Sequence, residues 1–131
     1  MFKMKDFDKT ITITNKNEEF SNTGYCDIPF TITAKPLTKN LTKIITKKSM
    51  RKRGDFDIIE YKSNIFINCV ISWTGIKDDN SGEEIECTEE NKKIIDERYQ
   101  SFVNCVVNAI SNHYDNEMRE LNEDFEEEVK N

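Results

Sequence analysis

At 131 residues the chain has the size of one ordinary domain, with 36% hydrophobic and 34% charged residues and a net charge of −6. No apolar run approaches the ~18 residues of a helical membrane span. The opening Met-Phe-Lys-Met-Lys-Asp also lacks the apolar stretch of a secretory signal, so a cytoplasmic protein is expected.

Residues 9–14 (Lys-Thr-Ile-Thr-Ile-Thr) alternate β-branched side chains and predict a strand. Residues 15–24 are polar and turn-like. Alternation resumes over 27–34, with Ile28, Phe30 and Ile32 on one side. Pro29 has no N–H to give to a ladder, so this strand lies at an edge or starts at the proline. Two strands alone rarely stand in water, so they must pack on a helix or pair with another copy.

The period then changes to helical. Over 37–50, Leu37, Leu41, Ile44 and Ile45 recur at steps of three and four, with Thr and Lys on the solvent side. The run Lys47-Lys48-Ser49-Met50-Arg51-Lys52-Arg53 places positive charge at the helix C-terminus, and Gly54 suits a terminator. This run is also the chain's nucleic-acid candidate. It lacks interleaved aromatics for base stacking, so a solvated helix end is the preferred reading. Residues 57–73 fit two patterns. Ile58, Ile65, Phe66, Cys69, Val70 and Trp73 make a helical stripe, whereas Ile65, Ile67, Cys69, Ile71 and Trp73 alternate as in a strand. Length favours a helix, which would end on Trp73 as a core anchor, with Gly75 in the turn beyond it.

Asp78-Asp-Asn-Ser-Gly82 is a tight polar turn. It fails as a calcium loop: with Gly82 at the sixth position, the first is Lys77 and the twelfth Thr88, neither a carboxylate. Thr88 is an N-cap with Glu89 and Glu90 in the first turn of the next helix, whose apolar side is Ile94, Ile95 and Tyr99. A last helix runs from about Ser101 towards the C-terminus. Its stripe of Phe102, Val103, Val106, Ala109, Ile110, Tyr114, Met118, Leu121, Phe125 and Val129 continues beyond what a small core needs. Acidic residues cover its other faces.

The charge is divided unevenly. Residues 1–54 carry 12 Lys/Arg against 5 Asp/Glu, and residues 55–131 carry 7 against 20. Such a dipolar chain suits pairing with a charged partner or with itself. Cys26, Cys69, Cys87 and Cys105 are spaced 43, 18 and 18 apart with one histidine, His113, in the chain. That spacing does not build a zinc site, and in a reducing compartment Cys69 and Cys105 read as small hydrophobes. His113 falls in no catalytic pattern. No nucleophile elbow or glycine-rich phosphate loop appears. No metal, cofactor or enzymatic activity is therefore expected.

The segment Val70-Ile-Ser-Trp73-Thr-Gly75-Ile-Lys-Asp78-Asp79-Asn-Ser-Gly82-Glu83-Glu-Ile-Glu-Cys-Thr88-Glu-Glu-Asn91 resembles a pattern of small tail assembly chaperones of long-tailed bacteriophages and prophages. In those proteins a Trp-x-Gly-(Val/Ile) element leads into an Asp-rich Gly turn and a Thr-x-Glu-Asn helix start. Lys35-Pro-Leu-Thr38 before a helix is similar to their first half, and Gln100 stands where relatives tend to carry a proline. The resemblance spans roughly residues 27–110. It implies a non-enzymatic cytoplasmic chaperone in a bacterial host, which coats a long helical tape-measure protein and keeps it soluble.

The expected fold is α+β: a short N-terminal β-hairpin or small sheet packed on a mainly α-helical body, with a long acidic C-terminal helix. Residues 1–113 form the domain and 114–131 an acidic amphipathic helical tail. The partner would lie against Phe102, Val106, Ile110, Tyr114, Met118, Leu121 and Phe125 in helix-in-groove fashion. An intramolecular core is preferred for the stripe up to Ile110. Self-association is a further possibility; membrane and nucleic acid are not expected partners. The alternatives are a virion structural or tail completion subunit, or an acidic inhibitor that mimics nucleic acid.

Overall fold

The computed structural model describes residues 10–130, with side chains described at 10–113 and at Asp115, Asn116 and Arg119. In chain order the elements are β1 (Ile11–Thr14), a 3-10 turn (Glu18–Phe20), β2 (Thr31–Ala34), α1 (Lys39–Lys48), α2 (Ile58–Cys69), β3 (Val70–Thr74), α3 (Glu89–Arg98) and α4 (Gln100–Lys130). This is an α+β fold. Its strands form an antiparallel sheet in the order β1-β2-β3, and α2 and α4 pack together beneath it. No described helix is long and apolar enough to cross a membrane.

The sheet's inner face follows from the register. Ile11 pairs with Ala34, Ile13 with Ile32, Ile32 with Trp73 and Ala34 with Val70, and all six are buried. The outer face is mostly Thr and Ser, with Thr12, Ser72 and Thr74 exposed. β2 is the central strand. It begins two residues after Pro29, so the proline never meets the ladder, and the alternative of an edge position is corrected.

The segment 57–73, expected to be one helix, divides. Asp57 caps α2 by accepting from the amides of Ile59 and Glu60, each 3.1 Å away, and the helix buries Ile65, Phe66 and Cys69. At Val70 the chain turns extended and joins the sheet, so Trp73 anchors the core from a strand and not from a helix end. Ser72 pairs with Thr33 and Val70 with Ala34, which leaves Ile71 as the extra residue of a bulge. The bulge puts Val70 and Trp73, three apart, on the same inner face. Lys92 from α3 holds this junction: its ammonium donates to the carbonyls of Ile67 (3.0 Å) and Val70 (2.7 Å), where the helix leaves acceptors open.

α1 starts after Thr38, whose hydroxyl accepts from Leu41 N, and it ends at Lys48 with Ser49 as its cap. Gly54 therefore does not terminate α1. It serves the following loop, where φ is +87° and its N–H donates to Arg51 O. Thr88 caps α3 as expected, accepting from Asn91 N at 3.1 Å. Tyr99 alone separates α3 from α4, which bends the chain into a corner.

Candidate functional site

The described part of the apolar stripe of α4, from Phe102 to Ile110, faces the core. Val106 and Ile110 are fully buried in this chain's own interior, in line with the core reading preferred for the stripe up to Ile110, and this leaves neither with surface for a partner. Phe102 is also a core residue. Its ring stands in an aromatic cluster, 5.4 Å from Phe30, 5.8 Å from Phe20 and 5.2 Å from Tyr25 between centroids. The side chains of Tyr114, Met118, Leu121 and Phe125 lie outside the described residues.

Beside that cluster an apolar groove of about 250 Å³ opens to solvent. Phe30, Ile95 and Phe102 form its floor, and Tyr25, Ile28, Ile76, Ile85 and Tyr99 its walls. Three segments bring these residues together. The first is the approach to β2, where Tyr25 Oη lies 3.3 Å from Ser101 Oγ and fixes the loop against α4. The second is a small hairpin after β3, closed by hydrogen bonds from Ile85 N to Ile76 O and from Asp78 N to Glu83 O, both 2.8 Å. The third is the α3–α4 corner.

Gly75 sets the distance between the first two segments. Its φ is +84°, and a Cβ there would run into Pro29 O and lie 2.8 Å from Phe30 Cα. Only glycine lets the hairpin come this close. Trp73 secures it from below by donating Nε1–H to Ile85 O at 2.7 Å, and Glu84 secures it from outside by accepting from Gly75 N at 2.7 Å. Asp78 shapes the tip, its Oδ1 accepting from Asn80 N and Ser81 N. Those amides hold the Asp78 carboxyl below the usual carboxylate range.

Within the groove, Ile28 is 51% and Tyr99 54% exposed, and Ile94 is exposed at its margin. A monomer gains nothing from holding such side chains in water beside an open cavity. The groove runs into a larger depression along the hairpin and α3, where Asp78, Asp79, Glu83, Glu84 and Glu86 outnumber Lys77 and Arg98. The site is therefore apolar inside and acidic at one rim. Its lining holds two phenols and one ammonium, so its chemistry is burial of apolar groups and attraction of cations. The apolar groove alone falls below the range of about 300–1,000 Å³ usual for small-molecule pockets and suits individual side chains of a larger partner, whereas the adjoining depression, about 610 Å³, lies within that range.

No group of three or more His, Cys, Asp or Glu with metal-site geometry occurs among the described residues. All four cysteines are free thiols. Burial pushes Cys69 up to about 11 and raises Cys87 and Cys105 as well, so these three stay protonated near neutrality. His113 is partly exposed on α4, at the outer end of the core.

Tyr25 and Ile76 escaped the periodic pattern, and Ile28, expected in the 27–34 strand, lies before β2 (Thr31–Ala34). Tyr25 and Ile28 lie in irregular backbone, and Ile76 follows the turn at Gly75. Their signal was the presence of bulky apolar residues in loops, which periodicity does not score. Comparison with family models, with curated proteins and with solved structures gives no match.

Proposed function

We propose that this protein is a non-catalytic tail assembly chaperone, which binds the apolar stripe of a long helical tape-measure protein in the bacterial cytoplasm and keeps it soluble. The observation that carries the reading is a coincidence of position. The segment 70–91, which resembles the chaperone pattern, is the segment that builds one wall and the acidic rim of the groove. Trp73 and Gly75 then have structural parts: they set the hairpin at the height that leaves the groove open.

An amphipathic helix presents apolar residues at steps of three and four, and two or three of these would enter a groove floored by Phe30, Ile95 and Phe102. Lysines flanking such a stripe would meet the acidic rim. The distal stripe of Tyr114, Met118, Leu121 and Phe125 would extend the contact along α4.

The test is co-expression with the long helical protein of the same tail gene cluster, reading its soluble fraction. Ile28→Glu with Tyr99→Glu removes two exposed anchors, each contributing about 1.5 kcal/mol when buried, which weakens binding about 100-fold. The variant should lose the soluble complex with its melting temperature unchanged. Equal solubilisation by the variant would refute the groove as the contact. Failure of the unmodified protein to solubilise the partner would refute the chaperone reading itself. The uneven charge favours one other assignment, a virion subunit that assembles head to tail.

A further inference from the structure

A second surface of the molecule matches the groove in both shape class and charge. Between α1 and α2 the chain forms a tight protruding loop. Met50 and Phe56 are bridged, Arg51 N donates to Asp55 O at 2.7 Å, and Asp57 N donates to Ser49 O at 3.0 Å. Ser49 is buried beneath it, donating to Ile45 O and accepting from Asn64 Nδ2. The loop is thus preformed, and holding it in place for a partner costs little further entropy.

Its surface is apolar and basic. Met50, Phe56, Ile58 and Ile59 are all exposed, Ile58 at 53% and Ile59 at 62%. Lys47, Lys48, Arg51, Lys52 and Arg53 stand exposed around them, against Asp55, Asp57 and Glu60. Arg51 is engaged with Asp57 at 3.3 Å, so the lysines and Arg53 carry the outward charge. The groove offers the converse: an apolar interior and a rim on which five carboxylates face two cations.

The two surfaces lie on different sides of the α3–α4 corner. Ile95, Tyr99 and Phe102 line the groove, whereas Asp96, Gln100 and Val103 line a depression beside Ile58 and Ile59. The loop, tied to α2 through Ser49, does not reach the groove of its own chain. We infer that the α1–α2 loop of one copy docks in the acidic-rimmed groove of a second copy, with Phe56 and Ile59 as anchors and Lys52 and Arg53 against the rim. Such a contact is heterologous, and a pair joined by it keeps one free loop and one free groove, so it repeats into a closed ring or an open chain. This inference rests on the reading of the groove as a docking surface. Its consequence is that self-association and a helical partner compete for one site.

Sedimentation of the full chain tests it, over a concentration series at about 0.05 M and about 0.5 M salt. Association beyond the monomer is expected, weakening at the higher salt. Phe56→Glu with Ile59→Glu should give a monomer, as should Ile28→Glu with Tyr99→Glu, each still melting cooperatively, with a lowered midpoint for the first because the Phe56 ring packs 5.1 Å from Tyr61. An equimolar mixture of these two variants retains one intact loop and one intact groove, and should form a dimer and nothing larger. Lys52→Glu with Arg53→Glu, in exposed positions, should weaken association at least tenfold at low salt. A monomeric unmodified chain, or a mixture that stays monomeric, overturns the inference. So does a loop variant that associates normally but no longer binds anionic vesicles or duplex DNA, which would give the loop a different ligand. The loop variant should still solubilise the helical partner while the groove variant should not, which separates failure of this contact from failure of the chaperone reading.

Discussion

Gly75 and Gly82 both adopt positive φ, at +84° and +70°, yet they answer different demands. At Gly82 a Cβ would meet nothing within 4 Å, so Gly82→Ala costs only the left-handed strain of about 1–2 kcal/mol. At Gly75 the same strain is joined by collision with Pro29 O and Phe30 Cα, backbone atoms that move only with the strand. Gly75→Ala should therefore cost about 3 kcal/mol or more, through strain plus overpacking. Urea titration of both variants checks this; equal losses would show that the close approach to Phe30 is unimportant. Cys69 makes a second residue-level case. Its thiol is fully buried, and burial raises it to about 11 against the partial relief from Lys35 and Lys92. A folded-state value above the unfolded one means that stability is full below about pH 9 and declines as pH climbs through about 11. The loss should be on the order of 2 kcal/mol, and Tyr61, raised by burial and by a Cys69 thiolate, adds to the same alkaline arm. Urea midpoints measured across that window should fall less in Cys69→Ala than in the unmodified protein.

At the scale of elements, the α2–β3 junction shows where pattern reading stops. A twelve-residue helix is followed without any linker by a strand, and each period explains part of the same 17 residues. The bulge at Ile71 then breaks the alternation that would have marked the strand, since Val70 and Trp73 share a face only because one residue is extra. β1, α3 and the turn at Asp78 were legible because local chemistry alone dictates them: β-branched alternation, a Thr cap and an Asx turn. The burial of Phe20 was not, because a lone aromatic in a polar turn has no period, although it packs edge-on to Phe30 at 4.9 Å. The candidate site was legible only in part. Phe102 was found on a helical stripe, but the groove it floors is completed by loop residues before β2 and after β3. Lys92 joins the two ambiguous elements to α3 through two charge-assisted hydrogen bonds, at 3.0 and 2.7 Å. Lys92→Met keeps the stem's packing and leaves both carbonyls short of a donor, at a cost of about 2 kcal/mol. Thermal melting should show that loss. Hydrogen exchange should localise it to amides around the junction, and uniform acceleration across the chain would argue that Lys92 has no special hold there.

At the scale of the molecule, the net charge belongs to the tail. Residues 114–131 carry eight Asp/Glu and two Lys/Arg, a balance of −6, so residues 1–113 are neutral overall. Among the described residues the core runs from Ile11 to Ile110. A neutral body with an apolar groove and an apolar loop has weak colloidal protection, and net charge near zero favours association. Removal of 114–131 should leave the melting temperature within about 2 °C, since a shift of that size corresponds to well under 1 kcal/mol in a domain of this length. Solubility at neutral pH should fall, and self-association should strengthen. The proposed partner stripe in the same segment has to be separated from this charge effect. Met118→Ser, Leu121→Ser and Phe125→Ser together keep the −6 and remove the apolar side chains. If the triple variant stays soluble but releases the helical partner, the tail contributes contact. If it behaves as the unmodified chain while the truncation alone fails, the tail contributes charge, and the groove at the α3–α4 corner carries the binding.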